Sequence, residues 1–186
     1  MNTGKMVIRA VLVIVGLPVV LVLMVVVSAS ILNRTNGTIV SSGEKREYLL
    51  YVPTSYDRTK PTPLVISMHG AMNWPAFQME LSQWNKAADE NGFIAVYPAG
   101  TGTGLKTWSM DGWGTPSRMP DVRFISELID TLEAAYNIDP TRIYANGVSN
   151  GGGMAFVLSC TSSHRIAAIG AVAAAQSLPW SWCTDP

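Results

Sequence analysis

Residues 143 to 152 have the sequence Ile-Tyr-Ala-Asn-Gly-Val-Ser-Asn-Gly-Gly, and this segment indicates the fold of the chain. An apolar strand pattern over 143–146 leads into a helix pattern over 150–160. Between the two, Gly147-Val148-Ser149-Asn150-Gly151 has the form G-x-S-x-G. A sharp turn from strand to helix strains the serine backbone, and glycines at the flanking positions let the two elements approach closely. The pattern therefore predicts a nucleophile elbow that presents Ser149; a glycine-rich turn that binds phosphate, or no ligand, is the alternative.

Strand and helix patterns alternate on both sides of this turn. Short apolar runs that stop at turn residues are typical of buried parallel strands, and a single apolar face with a stop residue is typical of a helix. The alternation implies a mostly parallel sheet with helices on both faces, so the predicted fold class is α/β. Strands are predicted at 47–52, 64–68, 93–97, 143–146 and 166–172, and helices at 76–91, 121–136 and 150–160.

Two of these helices have distinct sequence features. The helix over 76–91 is predicted to be continuous, with an apolar face made by Phe77, Leu81, Trp84 and Ala88. The next helix is predicted to start with Asp121 as its cap, after a long loop over 99–120. Long loops in compact domains are usually functional or disordered.

Residues 10–32 carry no charge and are almost wholly apolar, which is typical of a membrane segment. As a helix rising about 1.5 Å per residue, the segment would be roughly 34 Å long, enough to cross a bilayer core. Lys5 and Arg9 precede it, so residues 1–9 are expected in the cytoplasm and the rest of the chain outside. A cleaved signal peptide is the alternative, because Ser28-Ala29-Ser30 offers small residues to a peptidase. Both interpretations export the domain.

Polar residues over 33–43 predict a linker, which leaves 44–186 as one domain. All thirteen acidic residues but only ten of the thirteen basic ones lie in that domain, so its net charge is −3. A slightly acidic domain without a Lys/Arg cluster is a poor nucleic-acid binder. Its sequence also lacks metal-ligand spacing and a dinucleotide fingerprint, so we expect neither a metal nor another cofactor.

The chain has two cysteines, Cys160 and Cys183, and both lie in the part that would be exported. A disulfide persists outside the cytoplasm, and closing this loop would stabilise the fold by roughly 3–4 kcal/mol. Two unpaired thiols, one of them buried on a helix, are the alternative.

The segment His69-Gly70-Ala71-Met72 directly follows a predicted buried strand. In a parallel sheet this loop would lie beside the elbow, where its backbone amides can face an oxygen that gains negative charge. We therefore expect the backbone N–H groups of Asn150 and Ala71 to form an oxyanion hole.

Further strings of residues extend this pattern over most of the domain. Together with His69-Gly70 and the elbow, they resemble the polyhydroxybutyrate depolymerase and feruloyl/acetylxylan esterase family of α/β-hydrolases. The resemblance implies a secreted serine esterase of the α/β-hydrolase fold with a Ser, Asp, His triad in that chain order. It also implies that His69 and Gly70 belong to the oxyanion loop and that a disulfide lies close to Cys160 and Cys183. The strings are Ile138-Asp139-Pro140-Thr141-Arg142-Ile143-Tyr144, Tyr97-Pro98-Ala99-Gly100-Thr101-Gly102, Asp121-Val122-Arg123-Phe124-Ile125 and Arg165-Ile166-Ala167-Ala168-Ile169.

The acid and base that this resemblance implies normally follow two further strands, yet only 37 residues follow Ser149. They include one carboxylate, Asp185 in the tail, and one histidine, His164, which we expect to be a solvated residue at a helix end. The triad Asp and His are therefore expected to be absent, and a serine without an imidazole is a weak nucleophile. We expect this chain to be an incomplete catalytic domain that lacks its carboxyl-terminal strands and is inactive alone.

Five tryptophans fall on predicted loops at the carboxyl ends of strands, where such sheets place their sites. Indoles there would suit an aromatic ester, an apolar acyl group or a polymer chain, with Trp74, Trp108 and Trp113 as substrate contacts. Packing of the long loops is the alternative for each of them. The five are Trp74, Trp108, Trp113, Trp180 and Trp182.

These features are compatible with three functions. The first is an exported, membrane-anchored or secreted esterase that hydrolyses polyhydroxyalkanoate, feruloyl or acetyl esters through an acyl-enzyme on Ser149. The second is an acyltransferase that uses the same elbow. The third is a non-catalytic hydrolase-fold module at the cell surface.

Overall fold

The computed structural model describes residues 15–102, 104–109, 120–174 and 183. The chain divides into two compact units, residues 1–33 and residues 34–186. The described part of the first unit forms helix α1 (Leu17–Leu32), which lies inside the apolar segment predicted over 10–32. Within the described ranges, none of the helices combines the length and the apolar character needed to cross a bilayer.

The described part of the second unit contains six strands and four helices. The strands are β1 (Gly37–Ser41), β2 (Glu44–Tyr51), β3 (Thr62–Met68), β4 (Ile94–Pro98), β5 (Ile138–Val148) and β6 (Ala168–Val172). The helices are α2 (Pro75–Ser82), α3 (Trp84–Asn91), α4 (Pro120–Ala135) and α5 (Asn150–Thr161). The strands form one sheet in the order β1-β2-β4-β3-β5-β6.

The sheet is mixed. The three pairs among β4, β3, β5 and β6 are parallel, whereas β2 is antiparallel to both of its neighbours, β1 and β4. The α/β class is confirmed, and the parallel part is the half of the sheet that contains the elbow.

Strand β1 lies within residues 33–43, so the prediction of a linker there is wrong for Gly37–Ser41. The strand pairs with β2 in antiparallel register, with Thr38 opposite Glu47. Ser42 and Gly43 connect the two strands with φ angles of 53° and 81°, as the central residues of a tight primed turn require. The folded unit consequently includes residues before position 44.

Alternate residues of the central strands face two separate cores. Ile94 and Val96 of β4 belong to the larger core, which α4 and α5 complete, whereas Ala95 and Tyr97 belong to a smaller core with Ala76 of α2. Because successive side chains of a strand point to opposite faces, α4 and α5 cover one face of the sheet and α2 the other. The prediction of helices on both faces is confirmed.

The prediction of one continuous helix over 76–91 is wrong. Gln83 adopts a left-handed conformation with φ of 56°, which ends α2 and lets α3 begin at the next residue. The predicted apolar face is also only partly right. Phe77 and Leu81 are exposed, whereas Ala76 and Gln78 are buried.

Asp121 lies inside the first turn of α4 and does not cap it, because the helix begins at Pro120. Proline suits a first helical position, where its missing N–H has no intrahelical partner to lose. The Asp121 carboxylate instead forms a buried ion pair with Arg46 of β2, with 2.6 Å between Oδ1 and Nη2. Its other oxygen, Oδ2, accepts the Ser109 N–H at 2.7 Å. The prediction of Asp121 as the cap is thus wrong, since both carboxylate oxygens have other partners.

Strand β6 pairs with β5 and forms an edge of the sheet as described. Its burial alternates along the strand, and the side chain of Val172 is 63% exposed. A disulfide joins Cys160, in the last turn of α5, to Cys183, as the sequence predicted.

Candidate active site

Ser149 lies between β5 and α5 in a conformation that few residues other than glycine adopt. Its backbone angles are φ 53° and ψ −118°, outside the regions favoured by L-residues. The residue is exposed, and its N–H donates to the Val172 carbonyl oxygen at 2.8 Å. A strained backbone at an exposed serine, held from both sides by regular structure, is the geometry that a nucleophile elbow requires.

The glycines beside Ser149 are required by the close approach of three elements. A Cβ added to Gly147 would lie 2.5 Å from the Gly151 carbonyl oxygen and 2.8 Å from that of Met68. A Cβ added to Gly151 would lie 2.5 Å from the His69 carbonyl oxygen. Non-bonded contacts of a real Cβ atom are essentially never shorter than 3.0 Å. Side chains at these positions would push α5 away from β3 and β5 and so open the turn.

The loop after β3 lies beside this turn. A Cβ built on Gly70 would be 3.7 Å from the Ser149 Cβ and 3.6 Å from the Val148 carbonyl oxygen. Ala71 follows and is exposed. Asn150 is the first residue of α5, so its N–H is one of the four that have no acceptor within their own helix. The structure thus brings both segments with predicted oxyanion donors to Ser149, although their action on an oxyanion stays a prediction.

His69 is fully buried, and both of its ring nitrogens are engaged by backbone groups. The Nε2 atom accepts the Gly100 N–H at 3.0 Å, while Nδ1 donates to the Gly70 carbonyl oxygen at 2.7 Å. Burial lowers the pKa of His69 to about 4, and the charge of Lys106 acts in the same direction, while the bond to Gly70 opposes it. His69 is therefore a neutral structural residue of the loop and is not placed to take a proton from Ser149.

His164, the other histidine of the chain, lies past the carboxyl end of α5. Ser149 is at the amino end of that helix, which is about 18 Å long at 1.5 Å per residue. In their positions in the structure, neither His69 nor His164 can therefore act as the general base for Ser149. Asp185 lies outside the described residues. In the described ranges, no three His, Cys, Asp or Glu side chains are grouped so that they could hold a metal ion.

Trp108 is 2% exposed, and its indole N–H donates to the His69 carbonyl oxygen at 2.9 Å. Its ring also packs on the His69 imidazole, with 5.2 Å between centroids. The structure therefore places Trp108 inside the loop packing, which corrects the predicted contact with substrate. Trp74 is half-buried and donates its indole N–H to the Gly104 carbonyl oxygen at 2.9 Å. The other predicted contact, Trp113, lies outside the described residues, as do Trp180 and Trp182.

Two features of the site were not predicted. The Asn150 side chain binds the backbone of Trp108, and Arg46 donates at 3.1 Å to the Ala99 carbonyl oxygen besides pairing with Asp121. Each contact joins residues more than forty positions apart, so no local pattern reports it. Arg46 lies one residue before the strand predicted over 47–52, so the strand pattern gave no signal for it.

Comparison with known proteins gives consistent matches. A model described as esterase PHB depolymerase matches residues 46–176. The bifunctional acetylxylan esterase/xylanase XynS20E of Neocallimastix patriciarum is 34% identical over 126 residues, which cover 68% of this chain and 17% of that protein. The probable feruloyl esterase C of Aspergillus terreus is 30% identical over 140 residues, covering 73% of this chain and 48% of that protein.

Solved structures agree with this match. A ferulic acid esterase has a TM-score of 0.61 at 25% identity, covering 77% of this chain and 59% of that one. An acetyl xylan esterase from Aspergillus awamori has a TM-score of 0.62 at 17% identity, covering 74% and 52%, and this likeness shows the fold alone. The chain spans about half the length, 48%, of the feruloyl esterases C from two Aspergillus species that it matches.

Proposed function

The chain belongs to the esterase PHB depolymerase family, and on that basis we propose that it supplies the nucleophile and the oxyanion hole of a carboxylic ester hydrolase. The observation that carries this proposal is the strained, exposed Ser149 at the start of α5, with Gly70 so near that a Cβ added to it would lie 3.7 Å from the Ser149 Cβ. A backbone strain of this kind costs on the order of 1–3 kcal/mol and persists where surrounding structure enforces it, most often at active sites.

The proposed reaction proceeds through an acyl-enzyme. The Ser149 Oγ attacks the ester carbonyl carbon while a histidine base takes its proton, and the carbonyl oxygen becomes an oxyanion. The backbone N–H groups of Asn150 and Ala71 bind that oxygen, and the positive end of the α5 dipole stabilises its charge. The alcohol leaves with the proton returned by the histidine. Water then attacks the acyl group in the same way, releasing the acid and restoring Ser149.

The histidine and its partner Asp are proposed to follow residue 186 in the whole protein. Two observations support this. Neither histidine of the chain is placed to reach Ser149, and the chain spans about half, 48%, of the feruloyl esterases C named above. On this proposal, residues 44–186 alone are inactive.

The proposed substrates are esters with an aromatic, acetyl or polymeric component, such as feruloyl esters, acetylated xylan or polyhydroxyalkanoate. Similar proteins named as feruloyl and acetylxylan esterases support this range. Two exposed apolar side chains in the loops near Ser149 support it as well. Met72, next to Ala71, is 68% exposed, and Leu105 is 43% exposed on the segment that pairs with Asn73 through Lys106.

We also propose that the domain acts outside the cytoplasm, held by residues 10–32 as an anchor or released after cleavage of a signal peptide. The uncharged, apolar composition of that segment and the preceding Lys5 and Arg9 support export. The disulfide between Cys160 and Cys183 supports it independently, because disulfides persist in oxidising compartments.

A fluorophosphonate probe tests the proposed chemistry, because it labels only an activated serine. The 186-residue chain and the same chain extended along the reading frame of its source gene are treated side by side, each with a matched Ser149→Ala variant. We expect the extended protein to be labelled and its variant not. Equal labelling of the shorter chain would contradict the need for a later histidine.

A non-catalytic surface module remains the second candidate, because both described histidines are engaged or distant from Ser149. It would be favoured if the extended protein is folded but neither reacts with the probe nor hydrolyses p-nitrophenyl acetate. Ester turnover with and without added glycerol separates hydrolysis from acyl transfer, since only a transferase forms glyceryl esters in preference to acid.

A further inference from the structure

The Asn150 side chain is bound to the backbone of a loop that is remote in sequence. Its Oδ1 accepts the Trp108 N–H at 2.7 Å and the Thr107 hydroxyl at 3.2 Å, and its Nδ2 donates to the Trp108 carbonyl oxygen at 3.2 Å. One amide therefore pairs with both backbone polar groups of a single residue, as a neighbouring strand would. Asparagine carries a donor and an acceptor on one short side chain, which this pairing requires.

Trp108 transmits this contact to the oxyanion loop. Its indole donates to the His69 carbonyl oxygen, and its ring packs on the imidazole. His69 is in turn fixed by the Gly100 N–H, and its own carbonyl is the one directly before Gly70 and Ala71. A continuous set of hydrogen bonds thus runs from the Asn150 side chain to the segment that carries the second predicted oxyanion donor.

The two predicted donors lie on different segments of the chain. One is the N–H of Asn150 itself, at the start of α5, and the other is the N–H of Ala71, in the loop after β3. A single oxygen can be bound by both only if their separation is held within a few tenths of an ångström. Covalent structure does not supply that constraint, whereas the bonds through Trp108 and His69 do.

We propose that the Asn150 side chain is a positioning residue that sets the distance between the two oxyanion donors through Trp108 and His69. The inference rests on the proposed function, because it concerns the same oxyanion hole. Both polar atoms of the amide are already bonded to protein, so the side chain acts without touching the substrate.

The test uses the full-length enzyme and measures kcat and KM separately with p-nitrophenyl acetate. Asn150→Ala removes all three bonds, while Asn150→Asp keeps the acceptor and loses the donor to the Trp108 carbonyl. We expect Asn150→Ala to lower kcat about 10- to 100-fold with KM nearly unchanged, because small misplacements of catalytic groups act on the transition state. Asn150→Asp should lose at least as much kcat, because it sets a carboxylate oxygen against the Trp108 carbonyl oxygen and a negative charge beside the oxyanion. A far-ultraviolet circular dichroism spectrum like that of the wild type shows that each variant is folded.

Trp108→Phe keeps an aromatic ring and removes the indole N–H, so it breaks the same path further along. If both residues act through one path, the double variant Asn150→Ala/Trp108→Phe should lose little more kcat than the worse single variant. A residue with a general packing role would give independent, multiplicative losses. Asn91→Ala is the matched control, since it removes one exposed asparagine bond, 2.9 Å to the Ala87 carbonyl oxygen, on the opposite face of the sheet.

Multiplicative losses, a raised KM at constant kcat, or a loss no larger than that of Asn91→Ala would overturn the inference while leaving the esterase proposal intact. A wild-type enzyme that neither turns over esters nor reacts with the fluorophosphonate probe would instead remove the proposed function and this role with it. Amide hydrogen exchange at Trp108 adds a readout that is independent of activity. Its exchange should be faster in Asn150→Ala and unchanged in Asn91→Ala.

Discussion

Arg46 and Asp121 form an ion pair with 2.6 Å between Nη2 and Oδ1, and their side chains are only 6% and 0% exposed. Arg46 also lies 4.0 Å over the Phe124 ring and donates to the Ala99 carbonyl oxygen, while Asp121 accepts the Ser109 N–H. The pair therefore joins β2 to the start of α4, and it binds the backbone at Ala99 and at Ser109, on the two sides of Trp108.

Asp121→Ala should destabilise the protein by about 3–5 kcal/mol, because it leaves the Arg46 guanidinium buried without a counter-charge. The double variant Arg46→Met/Asp121→Ala should lose less, since no charge then remains buried. Urea denaturation measures both free energies of unfolding. Lys60→Ala serves as the control, because its pair with Asp57 is exposed and should contribute below about 1 kcal/mol. A double variant less stable than Asp121→Ala would contradict this account.

Gly151→Ala should lower the free energy of unfolding by at least about 3 kcal/mol, as mutations that overpack a core do. The added methyl group would meet the carbonyl oxygens of Met68 and His69 at the end of β3. Gly170→Ala is a matched control in β6, where the methyl group would lie 3.4 Å from the Asn146 Cβ and can be accommodated. Thermal denaturation measures the melting temperatures of the two variants, and Gly151→Ala should melt at the lower temperature. Similar melting temperatures would show that α5 is free to move away from β3.

Lowering the pH from 6.5 to 4 should destabilise the protein by roughly 3 kcal/mol through His69 alone. The pKa of this residue is lowered from 6.5 to about 4 in the folded protein, chiefly by burial. Between pH 6.5 and pH 4 the unfolded chain binds a proton at His69 that the folded chain does not bind. The stabilisation of the folded protein by neutral His69 is therefore complete above pH 6.5 and is lost as the pH falls towards 4. Unfolding in urea at several pH values measures the slope. His69→Gln should flatten this slope, and an unchanged slope in that variant would contradict the assignment to His69.

Reduction of the Cys160–Cys183 disulfide should lower the free energy of unfolding by about 3 kcal/mol, because it opens a loop with a sequence separation of 23. Denaturation with and without dithiothreitol measures the difference. The double variant Cys160→Ala/Cys183→Ala should match the reduced protein and be insensitive to dithiothreitol. Wild-type protein whose stability is the same in both conditions would show that the bond does not constrain the unfolded chain.

The elbow could be predicted from sequence because its requirements are local. A strand pattern, a G-x-S-x-G turn and a helix pattern follow one another without interruption, and the close approach at Gly147 and Gly151 needs no information from elsewhere in the chain. The alternation of β3, β4, β5 and β6 with helices could be predicted from the spacing of apolar residues. The α/β fold class and the helices on both faces of the sheet were therefore also predictable.

The errors arise where a residue's state depends on a distant partner. Gly37–Ser41 contains the β-branched run Thr38-Ile39-Val40, but the polar and glycine residues around that run favour a linker, and the segment is a strand because it pairs with β2. Trp108 is like any loop tryptophan in sequence, and its burial follows from contacts with Asn150 and His69. Gln83 carries no helix-breaking chemistry, so its left-handed conformation reflects how α2 and α3 each dock on the sheet.

The hydrogen bond from the Ser149 N–H to the Val172 carbonyl has a consequence for biosynthesis. Ribosomes deliver the chain from its amino end, so Ser149 emerges well before β6 exists to accept that bond. The serine turn is consequently completed only after the sheet has grown past it.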